Sequence, residues 1–72
     1  MAQQTKNAIR RAFIQLLNER PLDKISIKDI AEKGAVNRNT FYYYYVDIYA
    51  LVEDILQLEI QDFQSKLRRY DS

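Results

Sequence analysis

The chain has 72 residues, with 47% apolar and 29% charged side chains, one Gly, one Pro, no Cys and no His. That length holds one small domain of marginal stability, the single Gly and Pro argue against an all-β chain of hairpins, and the missing Cys and His remove the thiolates, the commonest general base and the commonest metal ligand. The net charge of +1 hides an asymmetry, since residues 1–40 carry eight basic and four acidic residues and residues 41–72 carry three basic and six acidic, which points to an anionic partner for the first segment.

In chain order, Thr5 is expected to cap a first helix over about 5–19. Ile9, Ala12, Phe13, Leu16 and Leu17 fall on one face of it at helical spacing. Lys6, Arg10 and Arg11 fall off that stripe, as a solvated face or, for Lys6 above all, as a flanking phosphate contact. Pro21 stops the helix, and Leu22-Asp23-Lys24-Ile25 reads as a linker with two apolar anchors. Ser26, with Asp29 three residues on, forms a capping box for a second helix over 27–33. Its buried face is Ile27, Ile30 and Ala31. Gly34 ends that helix, where a left-handed residue is cheap. Asn37 caps a third helix over 37–45, and Asp47 caps a fourth over roughly 48–68.

Two short helices joined by a compact turn make a helix-turn-helix. Ala31 supplies the small side chain at the crossing, Gly34-Ala35 the turn, and Val36 a plug between the helices. Phe41 and Tyr45, one turn apart, share the inner face of the third helix. Arg38, Asn39 and Thr40 sit at its outward start, where recognition helices reach base edges. Arg suits guanine, Asn suits adenine, and a Thr methyl suits thymine.

The stretch from Lys28 through Gly34-Ala35-Val36-Asn37-Arg38-Asn39-Thr40-Phe41-Tyr42-Tyr43-Tyr44-Tyr45, followed by Asp47 and Leu51, resembles the DNA-binding domain of the TetR/AcrR regulators over about residues 5–56. The resemblance implies an all-α bacterial protein: a three-helix DNA-binding core over 1–46 and a longer connecting helix over 47–72. It implies a cytoplasmic transcription regulator, mostly a repressor, that binds palindromic operator DNA as a homodimer. A small-molecule effector would bind only through a further C-terminal domain. Carried over by motif, Lys28, Arg38, Asn39 and Thr40 meet bases. Tyr42, Tyr43 and Tyr44 contact phosphates, joined by Lys6, Ser26 and Asn37. The core comprises Phe13, Leu17, Ile30, Ala31, Val36, Phe41, Tyr45, Leu51 and Ile55.

The sequence departs from the family pattern in places. The usual turn order is Ala-Gly, here Gly34-Ala35. A left-handed Ala35 would cost about 1 kcal/mol, so the turn is expected to shift. Asn39 stands where Gly or Ala is common, Tyr44 where His is usual, and Ile48 where Lys often approaches the backbone. Glu53-Asp54 reads as a solvated face, with no ligand set to complete a metal site. No cofactor and no catalytic group is expected.

The fourth helix is apolar on more than the ~100° stripe of a surface helix. Leu56, Ile60, Phe63 and Leu67 continue at 4-3-4 spacing as a second seam that the three-helix core cannot reach. The expectation is a partner-facing surface, covered by an effector domain beyond Ser72 or by the same helix of a second chain. The alternative function is accordingly a small helical interaction or dimerisation module using that seam. No segment has signal-peptide or membrane-spanning character, so no membrane partner is expected.

Overall fold

The structure is a computed structural model that describes the backbone of residues 2–71 and the side chains of residues 3–69. Met1 and Ser72, the outer limits of the two expected segments, lie outside the described residues. Four α-helices follow one another: α1 (Ala2–Glu19), α2 (Ile27–Lys33), α3 (Arg38–Tyr44) and α4 (Ile48–Asp71), with a 3-10 turn at Leu22–Lys24 between the first two. Among the described residues there is no strand.

Helix α1 starts three residues before the expected cap, because Ala2-Gln3-Gln4 holds no helix breaker. Thr5 therefore lies inside the helix rather than at its N-cap. Ile9, Ala12, Phe13 and Leu16 are buried. Leu17, expected in the core, is 42% exposed. Arg10, expected on a solvated face, is 9% exposed. Both sit on one edge of α1, about 80° and 100° round from Ile9. At the level of Arg10, Tyr45 and Asp54 close over that edge. At the level of Leu17 the edge opens into an apolar groove lined by Phe13, Ile14, Leu22, Val52, Ile55 and Leu56.

The linker after Pro21 winds into the 3-10 turn, closed by the Lys24 N–H to Pro21 O at 3.0 Å and the Ile25 N–H to Leu22 O at 3.1 Å. Of its two apolar anchors only Ile25 enters the core; Leu22 stays exposed. The capping box at α2 is complete. Ser26 Oγ accepts from the Asp29 N–H at 3.0 Å, and Asp29 Oδ2 accepts from the Ser26 N–H at 3.0 Å.

The turn between α2 and α3 corrects the expected shift. Gly34 has φ −86°, and Ala35 carries the left-handed conformation at φ 58°. The Ala35 N–H reaches Glu32 O at 3.2 Å and the Val36 N–H reaches Ala31 O at 2.9 Å, the two bonds of a Schellman cap. The glycine is used for space instead. A Cβ on Gly34 would meet Ile30 O at 3.2 Å, Ala8 O at 3.4 Å and Ala12 Cβ at 3.5 Å. Helix α1 passes that close to the end of α2, so the position favours a residue with no side chain, and Ala35 takes up the strained backbone.

Phe41 and Leu51 are fully buried, and Ile30, Ala31, Phe13 and Tyr45 join them; Val36, Ile48 and Ile55 are half-buried against this core. Ile48, where a phosphate-contacting Lys is common in the resembling family, is spent on packing. From Leu56 to Arg69 every residue of α4 is exposed. The molecule is accordingly elongated, 45 × 29 × 18 Å, with the far half of α4 projecting from the three-helix unit.

Candidate nucleic-acid interface

The start of α3 is set by its cap. Asn37 adopts an extended backbone (φ −92°, ψ 167°), and its Oδ1 accepts from the Thr40 N–H at 2.8 Å and from the Thr40 hydroxyl at 3.1 Å. This satisfies one free N–H of the first turn and commits the Thr40 hydroxyl's proton within the protein. Arg38 and Asn39 remain exposed beside it. Among the described residues, neither side chain has a hydrogen-bond or ion-pair partner within the protein.

The three tyrosines of α3 separate by their angular positions, and the fourth follows its end. Tyr43 is 80% exposed and Tyr42 53%. Tyr44 is half-buried and packs edge-on against Tyr43, with ring centroids 4.9 Å apart. Tyr45, past the end of the helix, is buried, its ring 5.8 Å from that of Phe41. Asn37, Asn39, Thr40, Tyr43 and Tyr44 line one shallow surface depression. Five of the residues expected at DNA thus share a single patch. Arg38 lies next to it in sequence, and Tyr42 is exposed on the same short helix.

Besides Asn37, two expected phosphate contacts have other employment. Ser26 is exposed, and its hydroxyl oxygen caps α2. Lys6 is drawn inward: its ammonium lies 3.8 Å from Asp54 Oδ2 and 5.5 Å from the centre of the Tyr45 ring. Lys28 is exposed on α2. The capping hydrogen bonds from Ser26, chiefly its backbone N–H, hold the Asp29 carboxyl below the usual carboxylate range, with Arg20 3.6 Å away adding to the effect.

Sequence reasoning does not find the polar knot behind α3. Asp54 Oδ2 accepts from the Tyr45 hydroxyl at 2.5 Å and from Arg10 Nη1 at 2.9 Å. Arg10 Nη1 also reaches the Tyr45 hydroxyl at 3.3 Å, and Nη2 donates to Asn7 Oδ1. These bonds join α1 and α4 to the residue that ends α3. The Tyr45 hydroxyl bond, helped by Arg10 and Lys6, keeps the Asp54 carboxyl below the usual range. Burial and the same bond push the Tyr45 hydroxyl up to about 12. Asp54 looks like half of an acidic surface pair in the sequence. The available signal is the spacing: Asp54 follows the buried Leu51 by three residues, on the same side of α4.

The comparisons with known proteins bear on the family. The family model described as "Bacterial regulatory proteins, tetR family" matches residues 9–55, from the first buried residue of α1 to the last core contact of α4. The chain is similar to the uncharacterized HTH-type transcriptional regulator YxbF of Bacillus subtilis (strain 168), at 33% identity over 57 residues. That alignment covers 79% of this chain and 15% of the relative. No solved structure matches. Among the described residues, no helix is long and apolar enough to cross a membrane. A complete helix-turn-helix with an exposed polar start to its second helix, inside a family match that spans it end to end, places the chain: it belongs to the tetR family of bacterial regulatory proteins.

Proposed function

We propose that this chain reads operator DNA through the exposed start of α3, as the sequence-specific part of a cytoplasmic transcription regulator that acts chiefly as a repressor. The observation that carries this reading is the patch at the start of α3. Arg38 and Asn39 stand free in solvent on a helix whose first turn is anchored by Asn37 and whose inner face is clamped by Phe41. In this reading Arg38, Asn39, Thr40 and Lys28 meet base edges, while Tyr42, Tyr43, Tyr44, Ser26 and Asn37 meet phosphates. Lys6 joins them only by leaving Asp54. Residues 1–46 act as the DNA-binding unit, and 47–72 as the connecting helix. A palindromic operator is bound by a homodimer, with half-sites about 34–36 Å apart. Any small-molecule effector acts through a further domain.

The test is a binding titration on duplexes selected from a random pool. Affinity should fall steeply between ~50 and ~200 mM salt, as phosphate contacts require. Arg38→Ala should lower discrimination at one base pair by about 1–3 kcal/mol. Binding indifferent to salt, or an Arg38→Ala variant with unchanged selectivity, overturns the reading.

A second reading rests on α4. Leu56, Ile60, Phe63 and Leu67 are all exposed, which suits an interaction module built on that seam. A stable complex formed by a chain that ignores DNA at every salt concentration would favour it over the first.

A further inference from the structure

We propose that Asp54 and Arg10 position α3 for DNA through the Tyr45 hydroxyl, and that this bonding sets how sharply the protein discriminates one duplex from another. The inference rests on the reading of α3 as the DNA-facing helix. The need for such a device begins with length. Helix α3 has seven residues, too few to be stable by itself, so its tilt is fixed from outside. Asn37 holds Thr40, but both residues ride on α3 and move with it. Phe41 is fully buried and anchors the inner face, but an apolar contact has no preferred direction.

Tyr45 supplies the direction. Its backbone turns out of the helix at φ −137° and ψ 130°, while its N–H still closes the last turn on Phe41 O at 2.9 Å. Its hydroxyl donates to Asp54 Oδ2 at 2.5 Å and accepts from Arg10 Nη1 at 3.3 Å. Arg10 Nη1 also donates to Asp54 Oδ2 at 2.9 Å, which closes a triangle across α1, α4 and the end of α3. Tyr45 and Arg10 are both buried, so water is poorly placed to replace a lost bond. Lys6 lies 3.8 Å from the same carboxylate oxygen, a looser support. The proton of the Tyr45 hydroxyl is spent inside the protein, so Tyr45 acts on DNA only through the placing of α3.

The lever is long enough to matter. Arg38 stands at the opposite end of α3 from Tyr45, about 10 Å along the axis. A tilt of about 5° at Tyr45 therefore moves the Arg38 end by about 1 Å, twice the ~0.5 Å within which a binding group must be held. The contacts most sensitive to such a shift are two-point hydrogen bonds to base edges. Phosphate contacts from long side chains follow a shift of that size and carry no sequence information. Loss of the hydroxyl should thus cost selectivity while sparing non-specific binding.

The test is a titration of the chain against a duplex it selects from a random pool and against a scrambled duplex of the same composition. It is run at a temperature where circular dichroism shows every variant fully helical. Tyr45→Phe keeps the ring beside Phe41 and deletes only the hydroxyl. It should lower the affinity ratio of selected to scrambled duplex about tenfold, a loss the size of one base contact, with the salt dependence of both unchanged. Asp54→Asn should lower the ratio in the same direction. The double variant should fall no further than the worse single one, as for two residues acting through one bond. Ile25→Val, a buried change outside the triangle, should keep the ratio. An unchanged ratio in Tyr45→Phe, additive losses in the double variant, or an equal loss in Ile25→Val overturns the proposal and leaves the DNA reading standing. A parent chain that selects no duplex from the pool overturns the DNA reading, and the proposal with it.

Discussion

Exchanging Ala35 for Gly should stabilise this protein. Ala35 is the one non-glycine residue with positive φ among the described residues, at 58°. A side chain there suffers the Cβ–carbonyl crowding of left-handed backbone, about 1–2 kcal/mol. Ala35→Gly removes that strain but loosens the unfolded chain by about 0.4–1 kcal/mol. The difference spans about 0–1.6 kcal/mol, and its midpoint is a gain of about 0.8 kcal/mol, or a Tm higher by about 3–6 °C for a domain this small. Both bonds of the cap are backbone bonds, from the Ala35 and Val36 N–H groups, and survive the change. Gly34→Ala is the control. Its new methyl would sit 3.2 Å from Ile30 O and 3.4 Å from Ala8 O, so Tm should fall or stay level. Thermal circular dichroism at 222 nm reads both. An Ala35→Gly variant no more stable than the parent, or a Gly34→Ala variant that gains as much, would refute the division of roles between the two turn residues.

Asn37→Ala removes the cap of α3 and should cost about 1 kcal/mol in chemical denaturation; it should also weaken DNA binding, because the same side chain holds Thr40. Asp54 has a folded pKa below its unfolded value, so its contribution is present above about pH 4 and is lost as pH falls through the depressed folded value. Asp54→Asn should therefore flatten the acid side of the stability–pH curve, which urea melts at successive pH values would register. Tyr45 works in the opposite direction: its hydroxyl is raised to about 12, so its contribution is full below about pH 10 and fades between 10 and 12. Tyr45→Phe should remove that alkaline loss. Leu16→Ala should cost about 2–5 kcal/mol, whereas Leu17→Ala, at an exposed site, should cost far less; near-equal melts for the two variants would contradict the burial described.

Much of the exposed patch on α3 is legible in the sequence because it rests on local rules. Asn37 at a cap, polar Arg38 and Asn39 directly after it, and Phe41 and Tyr45 one turn apart follow from helix geometry over nine residues. The capping box at Ser26 and Asp29 is equally local. The knot of Arg10, Tyr45 and Asp54 is not, since its members lie as many as 44 residues apart. Each taken alone looks like a solvated charge or a packed ring. Lys6 is obscured for the same reason: a basic residue near the start of a helix reads as free until Asp54 is known to lie beside it.

Sequence alone determines the four helices, the caps at Ser26, Asn37 and Asp47 (whose Oδ1 accepts from the Ala50 N–H at 2.8 Å) and which side of α3 faces solvent, since each depends on residues within a turn or two of one another. It also determines that α4 has an apolar seam, because a 4-3-4 spacing needs no knowledge of neighbours. Tertiary structure alone decides which edge of α1 is covered. Leu17 and Arg10 share that edge, and their burial is opposite to their hydrophobicity because Tyr45 and α4 close over one and not the other. It decides the turn as well. Gly34 is held to φ −86° where α1 passes within 3.5 Å of a Cβ it lacks, and the left-handed residue falls to Ala35. The close approach of a distant helix outweighs the local preference of a glycine for positive φ.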